Sequence, residues 1–365
     1  MLVHRCLLSL ATITLLGPAA CAQTPLPAAD QAPAGDPWIE VHPMLNSEHP
    51  DHAATRIVLI SGDEEYRSEE ALPQLARILA CRNGFTCTVL FAIDPASGEI
   101  NPDVRTNIPG LEALASADLM IIATRFRDLP DEQMAMIDDY VKSGRPIIGL
   151  RTATHAFNMS AESAYQHYSW NFASEHHPEW NGGFGRHILG ETWVAHHGDH
   201  GKQSTHGIVP DSAHEHSIAR GLHGESGTPP WGPTDVYRVG LPMVEGVTPI
   251  VLGQVLDGMT EDAAASTTDK NSPMMPVAWA RVMKNSGNVH GRRVFTTTMG
   301  AATDLLGAGT RTMLVNATYW ALGLGDEIPE GGCASDLVGE YTPTDFGFGG
   351  SVKGTRPEQI ETGCE

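Results

Sequence analysis

The residues in this chain that could do chemistry follow its apolar runs. GRPIIGLRTATHAF (144–157) contains a short buried strand, Pro146 to Leu150, that breaks at once into Arg151, Thr152, Ala153, Thr154 and His155. In several α/β enzyme families that turn carries a Ser or Cys nucleophile between glycines. A guanidinium stands there instead; it stays charged at ordinary pH and can only hold an oxygen or a negative charge. After RIVLIS (56–61) come Asp63, Glu64, Glu65, Tyr66 and Arg67, and after DLMIIA (118–123) come Arg125, Arg127 and Asp128. Strand-end arginines in a chain of formal charge −21 either neutralise nearby carboxylates or hold a ligand. One side chain can do both, since a guanidinium has donors to spare. Asp63, Arg125 and Arg151 are therefore candidate substrate-binding groups.

Imidazoles form a second set. ETWVAHHGDHGKQSTH (191–206) holds His196, His197, His200 and His206, with His176, His177 and His187 just before it. If 191–197 is extended, His196 and His197 point to opposite faces, so only one can face a given pocket. His196, His197 and His200 are candidate ligands for a zinc-like divalent metal. Their spacing matches no HExxH-type pattern, and scattered surface histidines are the alternative. A third set is aromatic: Tyr165, Tyr168, Trp170, Phe172, Trp180, Phe184, Trp193 and Trp231 crowd one stretch. Rings beside Arg, Asp and Asn suit capture of a sugar, and equally suit packing of a loop-rich segment.

The elements that must position these groups alternate. Strands are expected at 56–61, 88–93, 118–123 and 146–150, with helices over 68–80, 111–115 and 130–142. Strands that are apolar throughout, separated by amphipathic helices, predict an α/β fold with a doubly wound, mostly parallel sheet covered on both faces. Ligands of such sheets bind beyond the carboxyl ends of the strands, where the groups above lie. Residues 151–240 read as a loop-rich insertion. Further strands are expected at 249–256, 275–282 and 292–299, placing Gln254, Trp279 and Thr298 near strand ends, before a helix over 310–322. Residues 326–365 read as an irregular C-terminal extension.

Met1 to Arg5 is basic and CLLSLATITLL (6–16) is an apolar core of signal-peptide length, so residues 1–22 predict export to the periplasm or the extracellular space. Cleavage after Ala22 and lipidation of Cys21 are the two endings, and residues 23–54 read as a linker. Nothing else approaches membrane length. Export makes the cysteines disulfide candidates, with 81–87 and 333–364 as the expected pairs. The acidic charge argues against nucleic acid as a partner.

Several of these stretches together carry a resemblance. GLRTATHAF, GETWVAHH (190–197), GPTDVY (232–237), MPVAW (275–279), RVFTTTMGA (293–301) and RTMLVNATYWALG (311–323) resemble the trehalose-utilisation, or ThuA-like, family. SGDEEYRSEEALP (61–73) and DLVGEYTPTDFGFGG (336–350) are similar to its secreted subgroup. The resemblance implies a flavodoxin-like core like that of class I glutamine amidotransferases, without the amidotransferase cysteine. Arg151 stands in the elbow region, so glutamine hydrolysis has no thiolate to perform it. The resemblance also implies a small-molecule carbohydrate as partner. It places the family's G-x-x-aromatic-x-x-H pattern on Gly190, Trp193 and His196, and its later acidic-tyrosine motif on Asp235 and Tyr237. The chain departs from the pattern at Asp63–Arg67 and at Gly300-Ala301, where relatives have histidine. Two functions compete. One is an exported lyase, isomerase or hydrolase for (keto-)disaccharides or glycosides, with His155 or His196 as base or metal ligand and Glu64 or Asp235 as acid–base partner. The other is a non-catalytic carbohydrate-binding protein.

Overall fold

Alternate side chains of the central strands feed two different cores, which is why those strands are apolar along their whole length. The computed structural model describes residues 35–44, 49–284 and 291–364. Its strands are β1 (Trp38–Val41), β2 (Arg56–Gly62), β3 (Thr86–Leu90), β4 (Leu119–Thr124), β5 (Ile147–Leu150), β6 (Trp193–His196), β7 (Ser204–Ile208), β8 (Trp231–Gly232), β9 (Tyr237–Val239), β10 (Val247–Leu256), β11 (Met275–Met283) and β12 (Arg292–Thr297). Three α-helices accompany them: α1 (Ser68–Arg77), α2 (Asp131–Lys142) and α3 (Ala308–Leu322). Ile57 and Leu59 of β2 pack with Leu72 and Leu75 of α1 and Leu314 of α3. Val58 and Ile60, one residue out of phase, pack with Met134 and Ile137 of α2 on the opposite face.

Ten strands form one sheet in the order β1-β3-β2-β4-β5-β12-β11-β10-β7-β8. The five from β3 to β12 are parallel. In chain order they run second, first, third, fourth, fifth, so the winding reverses between β2 and β4. In sheets of this kind, ligands bind where the loops leaving two such strands part. An antiparallel wing, β11-β10-β7-β8, extends one side, and β1 pairs antiparallel with β3 on the other. A separate pair, β6-β9, stands over the sheet's functional end.

Several expectations are corrected. Residues 38–41, read as linker, are β1, whose Ile39 and Val41 are buried against the core. Within the loop-rich stretch 151–240, the short strands β7 and β8 join the main sheet. Trp279 lies in the middle of β11, where its indole N–H donates to the Leu189 carbonyl at 2.7 Å. The expected disulfides do not form: Cys81 pairs with Cys364, across 283 residues, while Cys87 and Cys333 are buried free thiols. Cys87 is fully buried in the core that β3 shares with α1, while Cys81 at the edge of that core is taken by Cys364. Among the described residues no helix is long and apolar enough to cross a membrane. The expected signal peptide (1–22), the Cys21 anchor and residues 23–34 lie outside the described residues.

Candidate functional site

The site grows out of three turns at the carboxyl ends of β2, β4 and β5. Each turn contains a non-glycine residue in the left-handed region: Arg67 (φ 58°), Phe126 (φ 48°) and Arg151 (φ 45°). Such backbone is costly, and surroundings that over-determine it are typical of functional sites.

In the first turn Asp63 is spent on the protein. Its Oδ1 accepts from the backbone N–H groups of Glu65 (2.8 Å) and Tyr66 (3.1 Å), and its Oδ2 from the Thr152 hydroxyl (2.6 Å). Asp63 is a buried turn-former, and the substrate contact expected of it is not available. The turn sends Glu64 and Glu65 in different directions. Glu64 is buried under three arginines: Oε1 accepts from Arg125 Nη1 (2.7 Å) and Arg105 Nη2 (2.9 Å), and Oε2 from Arg127 Nη2 (2.6 Å). Glu64 is thus committed to three guanidinium groups, and Glu65 is the acid of this turn that lies beside an imidazole. Glu65 reaches Arg125 Nε at 3.3 Å and His200 Nε2 at 3.4 Å. Burial pushes the Glu65 carboxyl up, opposed by the charges of Arg125 and His200.

The turn after β5 is built around Arg151, which is 1% exposed. Its left-handed backbone turns the side chain beneath the site. Nη1 donates to the carbonyls of Thr298 (2.6 Å) and Asp235 (2.8 Å), and Nη2 to Asp235 Oδ1 (3.0 Å). The guanidinium lies 3.7 Å from the ring centroid of Tyr237 and 4.3 Å from that of Tyr66. The substrate contact expected of Arg151 is replaced by this one: its ligand is the carboxylate of Asp235. Tyr237 likewise is 1% exposed and packs on the arginine from below.

Asp235 arrives on the loop before β9 and is fully buried. Its Oδ2 accepts from His196 Nδ1 at 2.8 Å and its Oδ1 from His200 Nδ1 at 3.2 Å. A carboxylate only accepts, so both imidazoles present Nδ1–H to it, and the second nitrogen of His200 then lies 3.4 Å from Glu65. Burial works to raise the Asp235 carboxyl, but the hydrogen bonds from His196 and His200 and the charge of Arg151 hold it well below the usual range. The same hydrogen bond raises the His200 imidazole above its ordinary value. The two imidazoles stay open to solvent, at 37% and 36% side-chain exposure.

One ligand atom each from His196, His200 and Asp235 falls within 4.8 Å of the others. Two imidazoles and a carboxylate with room on the outer side suit a zinc-like divalent ion, with Asp235 either as ligand or as the carboxylate that orients both rings. His197 does not join them. It follows His196 on the opposite side of the chain and its Nε2–H donates to the Lys270 carbonyl at 2.7 Å.

Arg125, half-buried, bridges the two acids and joins the turns into one network: Arg151–Asp235–His200–Glu65–Arg125–Glu64. Rings wall it. Trp193 packs 5.1 Å from His155 and 5.9 Å from Trp170, and its indole N–H is buried without a partner. His155 is buried. That burial, with the charges of Arg125 and Arg151, drives its imidazole well below the ordinary value, so it is neutral at neutral pH. It lies in the wall, 4.9 Å from the Phe126 ring.

The C-terminal tail supplies the last wall, which no spacing in the sequence announces. Gly347 N–H donates to the Glu65 carbonyl (2.7 Å), and Arg67 donates to the Gly347 carbonyl (2.7 Å) and the Thr344 hydroxyl (3.1 Å). Phe346 thereby packs 5.4 Å from His200, and Phe348 sits 4.9 Å from the Arg125 guanidinium.

No protein-family model matches the sequence, and no curated protein does. Solved structures do show likeness. A protein described as ThuA-like from Bacteroides uniformis aligns over 77% of this chain and 95% of its own, with TM-score 0.45 and 13% identity. Another so described, from Parabacteroides merdae, aligns over 80% and 97%, with TM-score 0.45 and 14% identity. The N-terminal domain of mmIFT52 aligns over 74% and 99%, with TM-score 0.41 and 13% identity. At these values the likenesses carry no argument about family or chemistry, and the functional reading rests on the site's own geometry.

Proposed function

We propose that this is an exported, carbohydrate-processing protein of the ThuA-like kind, whose site lies at the switch point of a flavodoxin-like, doubly wound core. The strand order second-first-third-fourth-fifth supports the flavodoxin-like reading. The cross-chain disulfide agrees with an oxidising compartment. The observation that carries the functional reading is the pair of part-exposed imidazoles of His196 and His200, aligned by a buried Asp235–Arg151 pair and bordered by Trp193 and Phe346. Those three ligand residues would hold a divalent ion, which would supply Lewis-acid polarisation of a sugar carbonyl or hydroxyl.

The chain's own groups divide the remaining work. Arg125 donates to an oxygen of the ligand while Glu64 fixes the guanidinium from behind. Trp193 and Phe348 cover ring faces. Glu65, with its raised carboxyl beside His200, takes the proton role. A ring ketone acidifies the neighbouring C–H, so one base and one cationic oxygen clamp suffice for elimination or isomerisation without a nucleophile. The second reading, a non-catalytic sugar-binding protein, is favoured by one observation: Asp63, Glu64 and Arg151 are all consumed by internal bonds. Zinc titration followed by assay of 3-keto and unmodified disaccharides separates the two. Turnover that needs both the ion and Glu65 supports the enzyme. Saturable sugar binding without turnover supports the binder, and a chain that takes neither ion nor sugar ends both.

A further inference from the structure

A second cavity, of about 360 Å³, lies away from the strand-end site, between α1 and the C-terminal tail. Pro73, Ile100, Tyr341, Val352 and Ile360 give it apolar walls. Its polar lining is unusual because it is unused. Both carboxylate oxygens of Glu69 are buried without a hydrogen-bond partner, and so is Nε2 of Gln74, a residue only 3% exposed. Buried polar atoms are normally paired, and an orphaned carboxylate is among the more expensive exceptions. Burial pushes the Glu69 carboxyl up to about 8, with Glu70 and Asp63 adding to it and its own backbone N–H and Arg67 opposing. The neighbouring Glu70 is not idle in this way: its two oxygens take the backbone N–H (2.7 Å) and hydroxyl (2.6 Å) of Thr344.

Charge on the lining is lopsided. Among the lining residues Glu69, Glu70, Glu340 and Glu361 outnumber the cation Arg77, which is committed to Glu361 (3.3 Å) and the Gly363 carbonyl (2.9 Å), and Arg67 adds its charge from outside the lining. An apolar slot with surplus acceptors and a buried, unsolvated carboxylate is complementary to a cation with an apolar body. An ammonium supplies the counter-charge that lets the buried Glu69 carboxyl ionise, which neither an alkyl carboxylate nor an alcohol can do.

We propose that this cavity is a second ligand site that takes a small hydrophobic amine, with the ammonium donating to Glu69 and the hydrocarbon along Pro73, Ile100 and Ile360. Ammonium donors satisfy both Glu69 oxygens in a water-poor setting, where a charge-assisted hydrogen bond is strong. The site stands independently of the strand-end chemistry, since no residue of it belongs to the Asp235 network. Calorimetric titration of the full chain with n-hexylamine, n-hexanol and hexanoate tests it. The expected result is saturable one-to-one binding of the amine, weaker binding of the alcohol and none of the carboxylate. Glu69→Gln keeps shape and removes charge; it should weaken the amine about tenfold or more while leaving the thermal midpoint equal or higher, because an unpaired buried carboxyl is lost. Glu358→Gln, at an exposed residue outside the lining, serves as a second variant and should leave amine affinity within a few-fold. Amine binding unchanged in a folded Glu69→Gln protein overturns the proposal. So does equal binding of amine and alcohol, or no saturable binding of any of the three at millimolar concentration.

Discussion

Two charged centres lie within one network, and they differ in what they leave over. Around Glu64, one carboxylate is saturated by Arg105, Arg125 and Arg127, of which only Arg125 also reaches the second centre, through Glu65; Arg127 is 0% exposed and also donates to the carbonyls of Pro102, Val104 and Arg125. Around Asp235, one buried arginine anchors a carboxylate that aligns two part-exposed imidazoles, whose second nitrogens are either uncommitted, on His196, or only loosely paired, on His200 with Glu65 at 3.4 Å. Satisfied polar groups hold a fold together, and groups held but unsatisfied are the ones that can act. The comparison assigns stability to the first centre and chemistry to the second, which mutation can contradict.

The largest effect should come from cutting the anchors. Glu64→Ala leaves three guanidinium groups crowded without their counter-charge. Arg151→Ala leaves Asp235 buried with no cation beneath it. Each should cost about 3–5 kcal/mol of unfolding free energy, read as a lower urea midpoint. If Arg151→Ala folds with undiminished stability and only ligand affinity falls, the assignment of that residue to the scaffold is wrong.

Next comes the site itself. Asp235→Asn removes the acceptor that fixes both rings and should weaken zinc binding about 10–100-fold, measured by competition with a chromophoric chelator. His196→Ala should do at least as much. His197→Ala, one residue away, should do nothing, because that imidazole is bonded to Lys270 on another face. Equal losses at 196 and 197 would dissolve the cluster.

This contrast also marks what could be seen in the sequence. Period and composition place β2, β4, β5 and the helices α1 and α2, because the covered strands must be apolar and these helices carry an apolar stripe, whereas α3 is buried on nearly every side. The alternation rule separates His196 from His197 for the same reason. Side-chain direction inside turns is a different matter. Asp63, Glu64 and Glu65 are adjacent acids of similar chemistry, and a tight turn sends one to backbone donors, one into an arginine knot and one to the mouth. No period governs that. The role of Arg151 depends on a left-handed φ and on a carboxylate 84 residues later in the chain. The Cys81–Cys364 bridge and the return of the tail through Phe346 and Phe348 depend on contacts between opposite ends of the described chain, which local reasoning has no means to rank.

The two histidine environments predict opposite pH behaviour. His155 is neutral and its folded pKa lies below 6.5, so the unfolded chain binds the extra proton. Stability from His155 is therefore intact above about pH 6.5 and lost as pH falls toward its folded value, at up to about 1.4 kcal/mol per pH unit. His200 has its pKa raised, so its contribution is present below about pH 6.5 and fades as pH rises through the folded value, reduced by its solvent exposure. Urea midpoints measured at pH 5 and pH 7 should converge in His155→Gln relative to the parent. An unchanged difference would mean that the imidazole is hydrated and titrates normally.

The smallest effect on stability, and the most discriminating one for ligand capture, belongs to Phe348. Its ring is 64% exposed and its recorded partner is the Arg125 guanidinium at 4.9 Å. An exposed cation–π contact is worth about 0.5–1 kcal/mol, so Phe348→Ala should barely move the urea midpoint. A large apolar ring kept in water beside a half-buried arginine has little structural use. Covering a ligand would give it one, and the variant should then lose sugar affinity several-fold while zinc affinity stays the same. Loss of both together would mean that the tail holds the imidazole cluster in shape through Phe346. Loss of neither would remove the tail from the site and leave Trp193 as its aromatic surface.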